Sequence, residues 1–167
     1  MYTVRKITPC LWFDSQAEEA ARFYTGIFMN SRILAITHYG EAGKEIHGRQ
    51  PGSVMTVSFE LDGQGLTALN GGPAFKFTPA VSFMIDCDTQ EEIDFFWDNL
   101  SEGGDENARQ CGWLADKYGV SWQVVPRIMI EMLTGEDEAR AQRAMVAMMK
   151  MKKPDINELK RAAAAPE

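Results

Sequence analysis

A chain of 167 residues holds one ordinary domain or two very small fused modules. Its formal charge of -7 repels phosphate backbones, and the one basic cluster, Lys150, Lys152 and Lys153, sits where a helix end favours cations, which argues against nucleic acid as a partner. No apolar run approaches the roughly 20 residues of a membrane span, Met1 to Lys6 lacks a secretory apolar core, and three dispersed cysteines without a CxxC pair fit a reducing, cytoplasmic setting.

In chain order, Ile7 to Phe13 reads as a short strand. Ser15 and Glu18 then have the spacing of a capping box, in which the hydroxyl accepts from the third helical N–H and the glutamate reaches back to the cap. Ile33 to Tyr39 is a second strand. The Gly-rich polar stretch from Glu41 to Gly52 reads as a loop. From Val54 to Leu61 apolar and polar residues alternate, Asp62-Gly63-Gln64-Gly65 turns the chain, and Leu66 to Asn70 returns. A further strand runs from Ala80 to Cys87. A second capping box, Thr89 with Glu92, opens a helix from about Gln90 to Leu100, which Gly103-Gly104 stops. Cys111 to Ala115 and Val120 to Val125 form a hairpin around Asp116-Lys117-Tyr118-Gly119, with a third short strand expected near Asn107 to Gln110. After Pro126 the chain becomes helical. Glu136 to Lys152 carries Ala139, Met145, Met148 and Met149 at near-helical spacing, Pro154 ends that helix, and Asp155 caps a last short one.

Two stretches match each other. Phe13-Asp14-Ser15-Gln16-Ala17-Glu18 followed by Phe23 parallels Cys87-Asp88-Thr89-Gln90-Glu91-Glu92 followed by Trp97. The shared order of strand, cap, acid and aromatic points to a duplicated module and equates Phe23 with Trp97. The expected organisation is a first βαβββ module over 1–75, a second βαβββ-like module over 76–126 and a helical tail over 127–167, together one compact α+β domain.

Several stretches resemble the PhnB-like group of the glyoxalase/bleomycin-resistance (vicinal-oxygen-chelate) superfamily: Ile7-Thr8-Pro9-Cys10-Leu11-Trp12-Phe13, Leu69-Asn70-Gly71-Gly72-Pro73, Cys111-Gly112-Trp113-Leu114, Tyr118 to Pro126, and Ala147 to Lys153. The resemblance implies paired βαβββ modules curving around a cleft, usually in a homodimer. Similar proteins often carry the label 3-demethylubiquinone-9 3-methyltransferase. The residues do not support that chemistry, because Gly71-Gly72-Pro73 leads to Phe75 and Phe77 rather than into a helix.

In metal-using relatives one His, Glu or Gln from the first and last strand of each module holds a divalent ion. The resemblance maps these positions to Thr8, Asn70 (or Leu69), Ser82 and Gln123. Only Gln123 is a familiar ligand, so no metal and no other cofactor is expected there. His38 and His47 flank a loop with Glu41 and Glu45 and read as solvated. Strand alternation puts Thr8, Cys10 and Trp12 on one face, with Ser82, Met84, Ser121, Gln123 and Val125 on the corresponding face of the second module. Leu11, Phe13, Val81, Phe83, Ile85, Trp122 and Val124 face the helices instead. The mixed face reads as a ligand pocket built from Thr8, Cys10, Trp12, Asn70, Ser82, Met84, Trp113, Ser121 and Gln123. Phe75, Phe77 and Trp113 could wall a cleft or a dimer contact, and the tail methionines suit packing. Three functions compete: a binding protein for a small organic molecule, a metal-dependent glyoxalase-type enzyme (lyase, isomerase or dioxygenase) with ligands drawn unusually from Glu60, Asp62 or Asp86, and a structural homodimer with a vestigial pocket.

Overall fold

The structure, a computed structural model, describes residues 7–164. The chain divides into two compact units, the first ending at Lys76 and the second beginning at Phe77.

The first unit runs β1 (Cys10–Phe13), α1 (Ala17–Ile27), β2 (Arg32–His38), α2 (Lys44–His47), β3 (Val54–Leu61) and β4 (Gln64–Asn70). Its sheet has the order β1-β4-β3-β2, with β1 parallel to β4 and the other pairs antiparallel. Alternation sends Leu11, Phe13, Val57, Phe59, Leu66 and Ala68 to one buried face, where α1 packs with Ala17, Ala20, Ala21, Tyr24 and Ile27. Tyr24 stacks on Phe59 with ring centroids 6.4 Å apart.

The second unit runs β5 (Ser82–Cys87), α3 (Gln90–Ser101), a 3-10 turn (Glu106–Ala108), β6 (Trp113–Ala115), β7 (Ser121–Pro126), α4 (Arg127–Thr134), α5 (Glu138–Met148) and α6 (Ile156–Ala164). Its sheet order is β5-β7-β6, with first and last strands again parallel. Leu114, Trp122, Val124 and Cys87 are buried with Ile93, Trp97 and Leu100 of α3. In both units a helix follows the first strand, and that strand lies parallel to the unit's last strand.

Several sequence expectations need correction. The Ser15–Glu18 capping box does not form. Helix α1 begins at Ala17, and Glu18 pairs with Arg22 instead. The Thr89–Glu92 box does form, with the Glu92 N–H donating to Thr89 Oγ1 and Glu92 Oε2 accepting from the Thr89 N–H. The buried aromatic of α1 is Tyr24, one position beyond Phe23, which is only half-buried. That one-residue difference rotates the core face of α1 by about 100° relative to the alignment with Trp97. The stretch near Asn107 to Gln110 makes a 3-10 turn and one isolated bridge, Gln110 to Trp113, rather than a strand. Strand β6 starts at Trp113 because Cys111 (φ 53°) and Gly112 (φ 82°) have left-handed backbone. A Cβ on Gly112 would lie 2.6 Å from the Val124 carbonyl, so glycine alone fits. Val81 lies ahead of β5 and is exposed rather than packed under a helix. The stretch 41–52 includes the single helical turn α2.

The tail is held to the second unit by backbone and side chain. The N–H groups of Cys111 and Gly112 donate to the carbonyls of Met151 and Lys152. Gln90 donates to the Pro154 carbonyl, and its Oε1 accepts from the Ile156 N–H. Lys153 reaches Asp94 at 2.9 Å and Asp98 at 3.3 Å, which accounts for one lysine of the basic cluster. This ion pair, reinforced by Gln90, holds the Asp94 carboxyl below its ordinary range. Met129, Met132 and Met148 form a small core with Ala144, Leu159 and Ala163.

Candidate functional site

Each sheet has one face under its helix and one left partly open. In the first unit the open face carries Cys10 and Trp12 from β1, Thr67 and Leu69 from β4, and Thr56, Ser58 and Glu60 from β3, none of them fully buried. At its edge the Asn70-Gly71-Gly72 stretch has a clear physical logic. The Trp12 indole lies against Gly71, where a Cβ would fall 2.2 Å from the ring, and its Nε1–H donates to the Gly72 carbonyl at 2.8 Å. Gly72 itself has φ 98°, which glycine adopts readily. Phe75 meets the Trp12 ring edge-on at 5.0 Å.

Asn70 bonds within the first unit. It is buried, its Oδ1 accepts from the Ala17 N–H at 2.8 Å, and its Nδ2 donates to the Val54 carbonyl at 3.0 Å. It thus caps α1 from the neighbouring strand, the task Ser15 was expected to perform. Its own carbonyl accepts from the Tyr39 hydroxyl at 2.6 Å.

The loop after β2 is ordered around His47 rather than freely solvated. His47 Nδ1 accepts from the Arg49 N–H at 2.9 Å, which leaves Nε2–H to donate to the Ala42 carbonyl at 3.2 Å. The ring also packs on Tyr39 at 4.6 Å. Arg49 donates to the Asp14 carbonyl at 2.7 Å. Glu45 and His38 remain exposed.

In the second unit the open face carries Ser82 and Met84 from β5, Ser121 and Gln123 from β7, and Trp113 and Ala115 from β6. Register places Gln123 between Met84 and Trp113, and Ser121 between Ser82 and Ala115. Gln123 Nε2 donates to Ser82 Oγ at 2.9 Å. Met84 is exposed and Trp113 half-buried. Beside β6 lies a half-open recess of about 650 Å³. Of the nine expected pocket residues it takes only Trp113 and Ser121, together with Phe77, Pro79, Leu114 and Ala115. Phe77 stood among the candidate wall aromatics. Pro79, Leu114 and Ala115 carry no signal in sequence, since an alanine or a leucine on a strand reads as core.

The four positions that a metal would occupy by resemblance do not fit one. Cys10 pairs with Thr67 and Phe13 with Asn70, so Thr8 and Asn70 lie at opposite ends of the β1–β4 pair, about 16 Å apart along the strand. Repeat symmetry gives the place matching Gln123 to Thr67 instead, because Gln123 lies across from Met84 and Thr67 across from Cys10. The candidate donors are then Thr8 and Thr67 in the first unit and Ser82 and Gln123 in the second, each pair taken by itself. All are neutral, and Gln123 is already bonded to Ser82. Among the described residues no three His, Cys, Asp or Glu side chains group around a common point for an ion. Burial and the nearby carboxylates of Glu92, Asp86 and Asp88 push the Cys87 thiol up to about 12, which makes it a poor nucleophile.

Comparison with known proteins locates this architecture. Residues 5–125 match the family model described as 3-demethylubiquinone-9 3-methyltransferase, so the helices from α4 onward lie beyond the matched region. A Bacillus cereus PhnB protein, described as a candidate 3-demethylubiquinone-9 3-methyltransferase, is 38% identical and superposes with a TM-score of 0.61, covering 73% of this chain and 99% of its own. A Pseudomonas aeruginosa protein is 19% identical with a TM-score of 0.57, covering 74% of this chain and 98% of its own, and shows the same fold. No protein of curated function matches the chain.

Proposed function

The chain belongs to the PhnB-like family described as 3-demethylubiquinone-9 3-methyltransferase, within the glyoxalase/bleomycin-resistance fold, and from that premise we propose that it binds a small organic molecule without the metal its superfamily commonly uses. One observation carries this reading. Each unit's half-open sheet face interleaves apolar and neutral hydrogen-bonding side chains, Trp12 beside Thr67 in the first and Met84 and Trp113 beside Ser82 and Gln123 in the second, the composition of a small-molecule site. Such a face can grip and orient a ligand, but it offers no anionic set to hold a cation.

The family's descriptive name is a poor guide to chemistry here. S-adenosylmethionine is usually held at a Gly-rich turn from strand to helix near the N-terminus. Here the first such turn is Asp14-Ser15-Gln16. Gly71 and Gly72 serve the Trp12 contact, and the next helix begins only at Gln90.

The test is thermal unfolding with zinc, nickel, manganese or magnesium at tens of micromolar, and after chelation. An ion present at a hundredfold excess over its dissociation constant adds about 2.7 kcal/mol, several degrees in Tm. We expect no shift from any ion or from the chelator. A shift abolished by Gln123→Ala would favour the metal-dependent glyoxalase-type enzyme, and one abolished by substituting His47 would place the ion in the loop after β2.

We propose further that the protein is a cytoplasmic homodimer. Free Cys10, Cys87 and Cys111 suit a reducing compartment. The sheets leave β1, β2, β5 and β6 as edges, which proteins commonly protect by pairing or covering. Among the described residues no helix is long and apolar enough to cross a membrane. Sedimentation equilibrium at micromolar concentration should give twice the chain mass. A species of 18.7 kDa would reject the dimer.

A further inference from the structure

The recess beside β6 has a feature that the open-face pair of Ser82 and Gln123 lacks. Ser121 is only 5% exposed and lines the recess, yet its hydroxyl has no hydrogen-bond partner among the described residues. Arg109 Nε is the one buried side-chain polar atom without a partner among the described residues, so the Ser121 hydroxyl keeps its access from the recess it lines and there meets water or a ligand. Its neighbours across the strands, Ser82 and Ala115, engage it only through the backbone ladder.

The walls narrow the ligand class. Phe77, Pro79, Trp113 and Leu114 supply aromatic and aliphatic surface, and a half-open volume of about 650 Å³ has ample room for a ring-bearing molecule. The ionisable side chains around it are acidic, with Asp105 and Asp116 among the lining residues and no lysine, arginine or histidine. Asp116 spends its oxygens on the N–H groups of Tyr118 and Val120 and the indole of Trp122, so it is occupied in structure, but its charge and that of Asp105 disfavour an anion.

We propose that this recess binds a neutral aromatic molecule carrying one hydrogen-bonding group, which meets Ser121 Oγ while its ring lies against Trp113 and Phe77. The recess shares Trp113 with the second unit's open face, and it is not lined by Ser82 or Gln123. The proposal rests on the small-molecule-binding reading in expecting an organic ligand, and is independent of that reading's metal-free part.

The experiment titrates the full chain with phenol, toluene and benzoate while following the Trp113 indole N–H by nuclear magnetic resonance. Phenol should shift and saturate that signal, toluene should bind more weakly, and benzoate weakest of the three. Ser121→Ala should weaken phenol about threefold to tenfold, the range of one hydrogen bond, and leave toluene unchanged. Ala115→Leu, which fills the recess from β6, should abolish binding of both and covers the case in which the serine variant folds poorly. Phenol binding that ignores both substitutions, or benzoate binding tighter than phenol, would overturn the proposal. A protein that neither binds phenol nor responds to metals would remove this recess and leave the metal-free reading standing.

Discussion

Asp116→Ala should cost about 3–5 kcal/mol of stability, the sum of leaving several donors short of a charged acceptor. Asp116 is 2% exposed, and one of its oxygens accepts from the N–H groups of Tyr118 (2.9 Å) and Val120 (3.0 Å) while the other accepts from the Trp122 indole at 2.8 Å. The carboxylate therefore fixes the β6–β7 turn and ties it to the largest side chain on the buried face of β7. Truncation leaves the Val120 N–H and the Trp122 indole, both buried, without their acceptor. In a chain of this size the loss corresponds to a drop in Tm of roughly 8–15 °C. Asp116→Asn is the sharper comparison. An amide oxygen can still serve the turn, but its NH₂ group then faces the indole N–H, so about half the cost should remain. Urea unfolding of the three proteins measures this, and a loss below about 1 kcal/mol for alanine would show that the turn holds without the carboxylate.

Asn70→Ala should cost about 2–4 kcal/mol. The substitution removes the cap on α1 and orphans the Val54 carbonyl, both within the first unit's core. Asn70→Asp separates the two bonds, because it keeps an acceptor for the Ala17 N–H and sets a carboxylate oxygen against the Val54 carbonyl. If either variant unfolds within about 1 kcal/mol of the parent, Asn70 is free to face a ligand, and the reading of this position as part of a pocket returns.

These two residues also show why the site was harder to read than the fold. Asn70 sits in the most distinctive motif of the chain, which marks it as important without saying for what. From sequence an asparagine after a strand serves equally as ligand, pocket floor or cap. Asp116 heads a four-residue turn and reads as a polar loop residue. Its role depends on Trp122, six positions away, folding back over the hairpin.

The sequence by itself determined the elements whose signals are local. Alternation from Val54 to Leu61 gave β3 and its buried face. The Thr89–Glu92 box gave the start of α3, and Asp155, accepting from the Glu158 N–H, starts α6 as expected. The succession of strands and helices marked the α+β class. Only tertiary structure decided what depends on partners distant in the chain. The cap of α1 comes from Asn70, 53 residues away, because β1 and β4 lie parallel and side by side. Register separated Thr8 from Asn70 and put Thr67 in the place matching Gln123, which no count of residues along one strand could reveal. The recess at Ser121 arises because the segment around Phe77, the edge strand β6 and the central strand β7 meet at one place. Local spacing fixes which face a side chain takes, whereas strand register fixes what it faces, and the chemistry of a site depends on the second.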